Sequence, residues 1–121
     1  MATIRRPVRR AQIWWVDWNP ARGSEQAGRR PTLIVQTDAA NEQDEYNLVI
    51  VTPISGGGHA DVPTHIAIRA SQANGLEKDG FVRCEQILTI TRDRLDGYIG
   101  FLEPAYMKRV GEALRAVLDL D

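Results

Sequence analysis

The residues with the most pointed chemistry lie together in one stretch, Gly23-Ser24-Glu25-Gln26-Ala27-Gly28-Arg29-Arg30-Pro31. Arg29 and Arg30 offer planar cationic forks of the kind that meet phosphate oxygens in pairs. Glu25 is a carboxylate that can take a proton. Ser24 and Gln26 supply further hydrogen-bonding groups, and the glycines allow a backbone to approach a ligand closely. Such a set suits a phosphate group. The plain alternative is a solvated hairpin loop, since surface connections are often polar.

The elements around this stretch are those of a small sheet. It falls between Ile13-Trp14-Trp15-Val16 and Leu33-Ile34-Val35, two runs with the composition of buried strands. The insert is too long for a tight turn, and loops of this length in small domains are usually functional or disordered. Strands are predicted over residues 12–18, 32–36, 47–54 and 64–68, with Pro53 at the frayed end of the third. Residues 38–44 form a polar loop with a helical turn. Residues 55–59 form a flexible glycine-rich turn. A short helical turn over 71–75 is capped by Ser71 and ended by Gly75. Two short strands, or one with a break, cover 80–84 and 87–90, and a last short strand lies near 98–100. Pro104 opens a helix over 104–118. Its apolar face holds Met107, Val110, Leu114, Val117 and Leu118, with Lys108, Arg109, Glu112 and Arg115 turned away. Several short strands before one helix predict a bent sheet or barrel, because parallel βαβ units need long crossovers.

At 121 residues and 43% hydrophobic content, the chain is expected to fold as one domain with a true core. Residues 1–10 are expected to be a flexible basic tail and residues 11–121 the domain. No run approaches the roughly 18 apolar residues of a membrane span, and the early arginines precede no apolar signal segment. Cys84 is the single cysteine, so no intramolecular disulfide forms. It reads as a small buried hydrophobe, and a cytoplasmic protein is expected. Net charge is −1, but it is unevenly placed. Arg5, Arg6, Arg9, Arg10, Arg22, Arg29 and Arg30 face only Asp17 and Glu25 in the first 35 residues, which leaves that end at +5 and the remainder at −6. One face meeting a polyanion follows from that asymmetry.

With Ile13-Trp14-Trp15-Val16-Asp17-Trp18-Asn19-Pro20 before it, and Val51-Thr52-Pro53-Ile54-Ser55 and Arg83-Cys84-Glu85-Gln86-Ile87-Leu88-Thr89-Ile90 after it, the loop resembles that of the MazF/PemK (Kid-like) toxin endoribonucleases. The match runs from about residue 10 to the end. The resemblance implies a mainly β fold, a small SH3-like barrel of the CcdB/PemK type with a C-terminal helix, assembled as a homodimer. It also implies cleavage of single-stranded mRNA without a metal or other cofactor, no membrane association, and a cognate MazE-like antitoxin. Arg30 matches the family's catalytic arginine, and Ser55 stands for a catalytic threonine. Arg83 and Glu85 match a Kid-like pair of arginine and acid. Ser24 replaces a histidine present in some members, so no imidazole acid is expected there, and Leu88 replaces a common arginine. Two other readings are a CcdB-like DNA gyrase poison and a catalytically weak RNA-binding relative.

The residues support that chemistry on their own terms. Attack by an RNA 2′-hydroxyl needs a base, a cation for the phosphorane charge and a donor to the leaving 5′-oxygen. Glu25 is a candidate base or an orienter of Arg30. Arginine keeps its proton, so Arg30 and Arg83 read as charge stabilisers. Ser24, Gln26, Arg29 and Gln86 are candidates for gripping RNA. Alternatives stand beside each: Glu25 and Arg30 bracing the loop, Arg83 and Glu85 forming a surface ion pair on one strand face, and Gln86 holding only a backbone group. His59 and His65 read as solvated. Trp14, Trp15 and Trp18 read as core or dimer packing, with at most one of Trp14 and Trp15 in a groove.

Overall fold

The structure, a computed structural model, describes residues 6–18 and 28–121. Among these residues, seven antiparallel strands form one strongly bent sheet: β1 (Gln12–Asp17), β2 (Arg29–Ile34), β3 (Leu48–Ser55), β4 (His65–Ile68), β5 (Gly80–Arg83), β6 (Leu88–Thr91) and β7 (Leu95–Phe101). One turn of helix, α1 (Asp38–Asn41), follows β2, and α2 (Pro104–Leu118) closes the fold. The strand order is β4-β5-β3-β2-β1-β7, with β6 also paired to β3. This is the expected SH3-like barrel with its C-terminal helix, although among the described residues no strand pairing closes it. Its two end strands meet through a turn instead. Phe101 N–H donates to Ala73 O (3.1 Å). A Cβ on Gly100 would lie 2.6 Å from Ala73 O, and one on Gly75 would lie 2.3 Å from Ile99 O, where φ is also +69°. Glycine alone allows this approach.

β3 is the corner of the molecule. Its first half pairs with β6 (Val51↔Leu88) and its end pairs with β5 (Ile54↔Val82) along the same edge. Pro53 was expected at a frayed end, but the strand continues to Ser55. On that edge Pro53 falls between the last partner on β6 and the first on β5, so its missing N–H breaks no ladder there. β2 begins earlier than expected and takes Arg29, Arg30 and Pro31 out of the loop. Pro31 pairs with Trp15 on β1 and lies just before Thr32, the first β2 residue paired with β3. β7 is also longer than its predicted centre.

The central strands are buried on both faces, which explains their unbroken apolar runs. Ile13, Leu33, Ile54, Ile66 and Val82 join Val110 and Ala113 of α2 in one core. Trp14, Val16, Trp18, Ile34, Val49, Val51 and Ile90 form a second. The alternation of neighbours between the two cores is the strand period of two. Trp14 and Trp18 are thus core residues, and their indole N–H groups donate to Gln12 Oε1 (3.0 Å) and Thr32 Oγ1 (3.2 Å). Leu88 packs against this second core. In α2, Met107, Leu114 and Val117 pack as expected, but Leu118 is 50% exposed. It lies about 100° beyond Val117 around the axis, past the edge of the buried stripe, and Ala113 takes its place. Of the basic N-terminal segment, residues 6–10 are held against the sheet. Val8 packs on the second core, the Arg6 guanidinium sits 3.8 Å over the Tyr98 ring, and Arg10 N–H donates to Asp38 Oδ1 (2.7 Å).

Candidate active site

Strand register brings the candidate residues into one row. Thr32 pairs with Pro53, so the same register carried two residues on sets Arg30 against Ser55. Ser55 pairs with Phe81, two residues from Arg83, and Arg83 pairs with His65. Directly opposed residues share a face of an antiparallel pair. Arg30, Ser55, Arg83 and His65 therefore lie on one face across β2, β3, β5 and β4. Arg30 and Ser55 also line a common groove of about 490 Å³, with Trp15, Arg29 and Lys78 among its other walls. A larger hollow of about 680 Å³, lined by Arg6, Trp14, Arg92 and Tyr98, contains none of these candidates.

Hydrogen bonds tie one side of the row together. Arg83 Nε donates to Glu85 Oε2 (3.1 Å), and Arg83 Nη1 donates to Gly57 O (3.1 Å) and lies 3.5 Å from Ser55 Oγ. Ser55 Oγ donates to Gly57 O (2.7 Å). The sequence set Arg83 and Glu85 on one strand face, but the strand ends at Arg83 and Glu85 lies in a 3-10 turn, Cys84–Gln86. Arg83 turns out of the strand at φ −94°, ψ 79°, and the two side chains meet across that bend. An ion pair this accessible is worth about 0–1 kcal/mol. Its main effect is to fix a direction for the guanidinium.

Glu85 is held as an anion. Burial pulls its carboxyl upward, but its own backbone N–H, His65 and Arg83 outweigh that and keep it below the usual carboxylate range. Oε2 accepts from both Arg83 and His65, and Oε1 accepts from Thr64 Oγ1 (3.2 Å). A carboxylate so engaged is a weak base, and the geometry favours it as an orienter. Gln86 ends the same turn and is half-buried. Cys84 is fully buried, and that burial, with Glu85 beside it, pushes its thiol up to about 12. It is an inert core residue.

The opposite side is built differently. Trp15 is half-buried, and the Arg29 guanidinium lies 4.6 Å from its ring centre. Asp96 braces Arg29 through an ion pair (3.4 Å) and through its carbonyl (3.0 Å). Trp15 is thus the tryptophan at the groove. Ser24, Glu25 and Gln26 lie outside the described residues.

The sequence reading left out His65. It was expected in solvent, yet it is 9% exposed, and its Nε2 lies 2.9 Å from Glu85 Oε2. His59, by contrast, is exposed as expected. The alternation over residues 64–68 marked a strand, but only the pairing of His65 with Arg83 reveals which face the imidazole takes. The glycine loop was expected to be flexible, and it too is tied down, through Gly57 O and through His59 N–H donating to His65 Nδ1 (3.1 Å).

Comparison with known proteins agrees with this geometry. Residues 9–118 match the PemK-like, MazF-like toxins of type II toxin-antitoxin systems. The chain is 37% identical over 114 residues to an endoribonuclease MazF from Staphylococcus saprophyticus, covering 93% of this chain and 92% of the relative. Among solved structures it resembles a mycobacterial endoribonuclease in complex with its cognate antitoxin, at TM-score 0.77 and 26% identity over 94% of this chain and 97% of that one. MazF from Deinococcus radiodurans shares the fold at TM-score 0.79 and 20% identity, over 96% of this chain and all of that one. The row of arginines and hydroxyl across β2, β3 and β5 therefore belongs to a member of the PemK-like, MazF-like toxin family.

Proposed function

We propose that this chain is the toxin of a type II toxin-antitoxin pair, a ribosome-independent endoribonuclease that cuts single-stranded mRNA and so stops translation and growth. The carrying observation is Arg83, held by Glu85 and pointed at Ser55, which shares a groove with Arg30. Two cations and a hydroxyl around one position suit a phosphate that gains charge as the 2′-hydroxyl attacks. The bond from the 2′-oxygen to phosphorus forms as the bond to the 5′-oxygen breaks; the 2′ proton passes to a base and the 5′-oxygen takes one from solvent, leaving a 2′,3′-cyclic phosphate and a 5′-hydroxyl. Arg30 and Arg83 stabilise the phosphorane, Ser55 positions a phosphate oxygen, and Glu25 is the candidate for the 2′ proton. Glu85 acts through Arg83. Arg29, Ser24, Gln26 and Gln86 are assigned to RNA contact, with Trp15 as a base-stacking surface.

The relative named endoribonuclease MazF supports the reaction, and the solved neighbour bound to its cognate antitoxin supports an antitoxin as partner. A homodimer and a cytoplasmic site of action complete the reading, and no helix among the described residues is long and apolar enough to cross a membrane. A gyrase poison would have no use for the Arg83–Ser55 geometry. The test is cleavage of a defined RNA in excess chelator, with the new ends sequenced. Undiminished cutting that leaves cyclic phosphate and 5′-hydroxyl ends is expected. Loss of cutting in chelator, restored by magnesium, would overturn the mechanism.

A further inference from the structure

We propose that His65 is a positioning residue for the reaction, setting the Arg83 guanidinium through Glu85. The inference rests on the reading of Arg83 as a charge stabiliser. The imidazole is fixed from several directions. Its ring stacks on His59 (6.3 Å between centres, 21° between planes) and meets the edge of Phe81 (6.4 Å, 63°). Gly58 lies flat on Phe81, where a Cβ would come within 2.5 Å of the ring. Any side chain there would displace the wall behind the histidine.

The hydrogen bonds fix the tautomer. His59 N–H donates to Nδ1 (3.1 Å), so Nδ1 carries the lone pair. The proton of the neutral ring then sits on Nε2 and is donated to Glu85 Oε2 (2.9 Å). Glu85 Oε2 also accepts from Arg83 Nε (3.1 Å). One oxygen thus joins the histidine to the arginine. Without the Nε2 donor, Oε2 is held by Arg83 alone and the carboxylate can pivot on its contact with Thr64, so the guanidinium shifts its bearing on Ser55. The same imidazole holds the glycine loop through His59, and that loop offers Gly57 O to both Arg83 and Ser55. His65 does not touch RNA in this account. Its charged and titratable neighbours are Glu85, Arg83 and His59.

The test compares single-turnover cleavage at saturating protein, RNA affinity and melting temperature in six variants. Arg83→Ala should slow cleavage of bound RNA by about 10²–10³-fold. His65→Ala should slow it by about tenfold, the scale of a small misplacement of a catalytic group, with RNA affinity little changed. His65→Gln keeps a donor within reach of Glu85 and should return to within about threefold of the parent. The double variant His65→Ala/Arg83→Ala should be no slower than Arg83→Ala, because His65 acts through that side chain. Glu85→Ala alone, and with His65→Ala added, should cut at the same rate, because the oxygen that joins the two side chains is gone. Nitrogen chemical shifts at about pH 8 should show a proton on Nε2 and none on Nδ1 of His65. A parental rate in His65→Ala, a Gln variant as slow as Ala, multiplicative losses in the double variant, or a proton on Nδ1 would each overturn the inference. If Arg83→Ala itself cuts bound RNA at the parental rate, the reading beneath it falls instead. The nitrogen shifts decide the tautomer even where an alanine variant does not fold.

Discussion

The two sides of the groove hold their arginines in different ways. On the β5 side, Arg83 is bound to Glu85 and Gly57 O, Glu85 is bound to His65 and Thr64, and His65 is bound to the glycine loop. On the β1–β2 side, Arg29 lies on Trp15, and among the described residues Asp96 is its exposed brace. A cation fixed before substrate arrives loses little on reaching the transition state and acts on rate. A cation on an exposed, screened brace is available to the RNA backbone and acts on affinity. The same residue type thus does two jobs, and the difference lies in what holds it.

The largest effect should come from the fixed side. Arg83→Ala should cost about 10²–10³-fold in the cleavage rate of bound RNA, and Arg83→Lys should recover little, since an ammonium cannot bind Glu85 and face Ser55 in one plane. A full rescue by lysine would mean that charge alone matters and that the bracing network is incidental. Ser55→Ala should cost about tenfold in the same rate, one hydrogen bond to a charged group. Ser55→Thr should cost nothing, because a β-branched hydroxyl suits the end of a strand. Quench-flow rates with both variants check this.

On the open side, Arg29→Ala should weaken RNA binding a few-fold and reduce the salt slope of binding by about one, leaving the rate of bound RNA unchanged. A slowed rate would erase the contrast between the two sides. The smallest effect is on stability in acid. Glu85 titrates below its ordinary 4.5 in the folded protein, so it contributes stability that is present above 4.5 and lost as pH falls through its lowered folded value. The melting-temperature gap between the parent and Glu85→Gln should therefore close in acid. A gap that widened instead would contradict the bracing role.

The elements that build the two sides are legible in the sequence, but the contacts that set them apart are not. Local signals sufficed where structure is local: Pro104 and the apolar stripe marked α2, and Ser71 with Gly75 marked the turn that bridges the sheet's ends. They failed where a distant partner decides. Pro31 looked like the end of a loop, but its place at the end of the β2–β3 ladder lets the strand run back through Arg30 and Arg29. His65 offered no signal of its own, because Glu85 is twenty residues away and meets it only through a pairing register and a 3-10 bend. Leu118 was misplaced by a single step around the helix. The paired roles of Arg83 and Ser55 were legible as residue types, while their approach to 3.5 Å depends on β3 bending away from β6 to join β5.

Arg30 stands between the two sides, placed against Ser55 by register yet next to Arg29 in sequence, and it tests the account most directly. The measurement is single-turnover cleavage by Arg30→Ala at saturating protein, beside its RNA affinity and melting curve. The account predicts a rate lower by about 10²–10³-fold, with affinity and melting temperature close to the parent's. An unchanged rate for bound RNA, with affinity and melting temperature falling together, would contradict it and leave the loop and its arginines a structural role only.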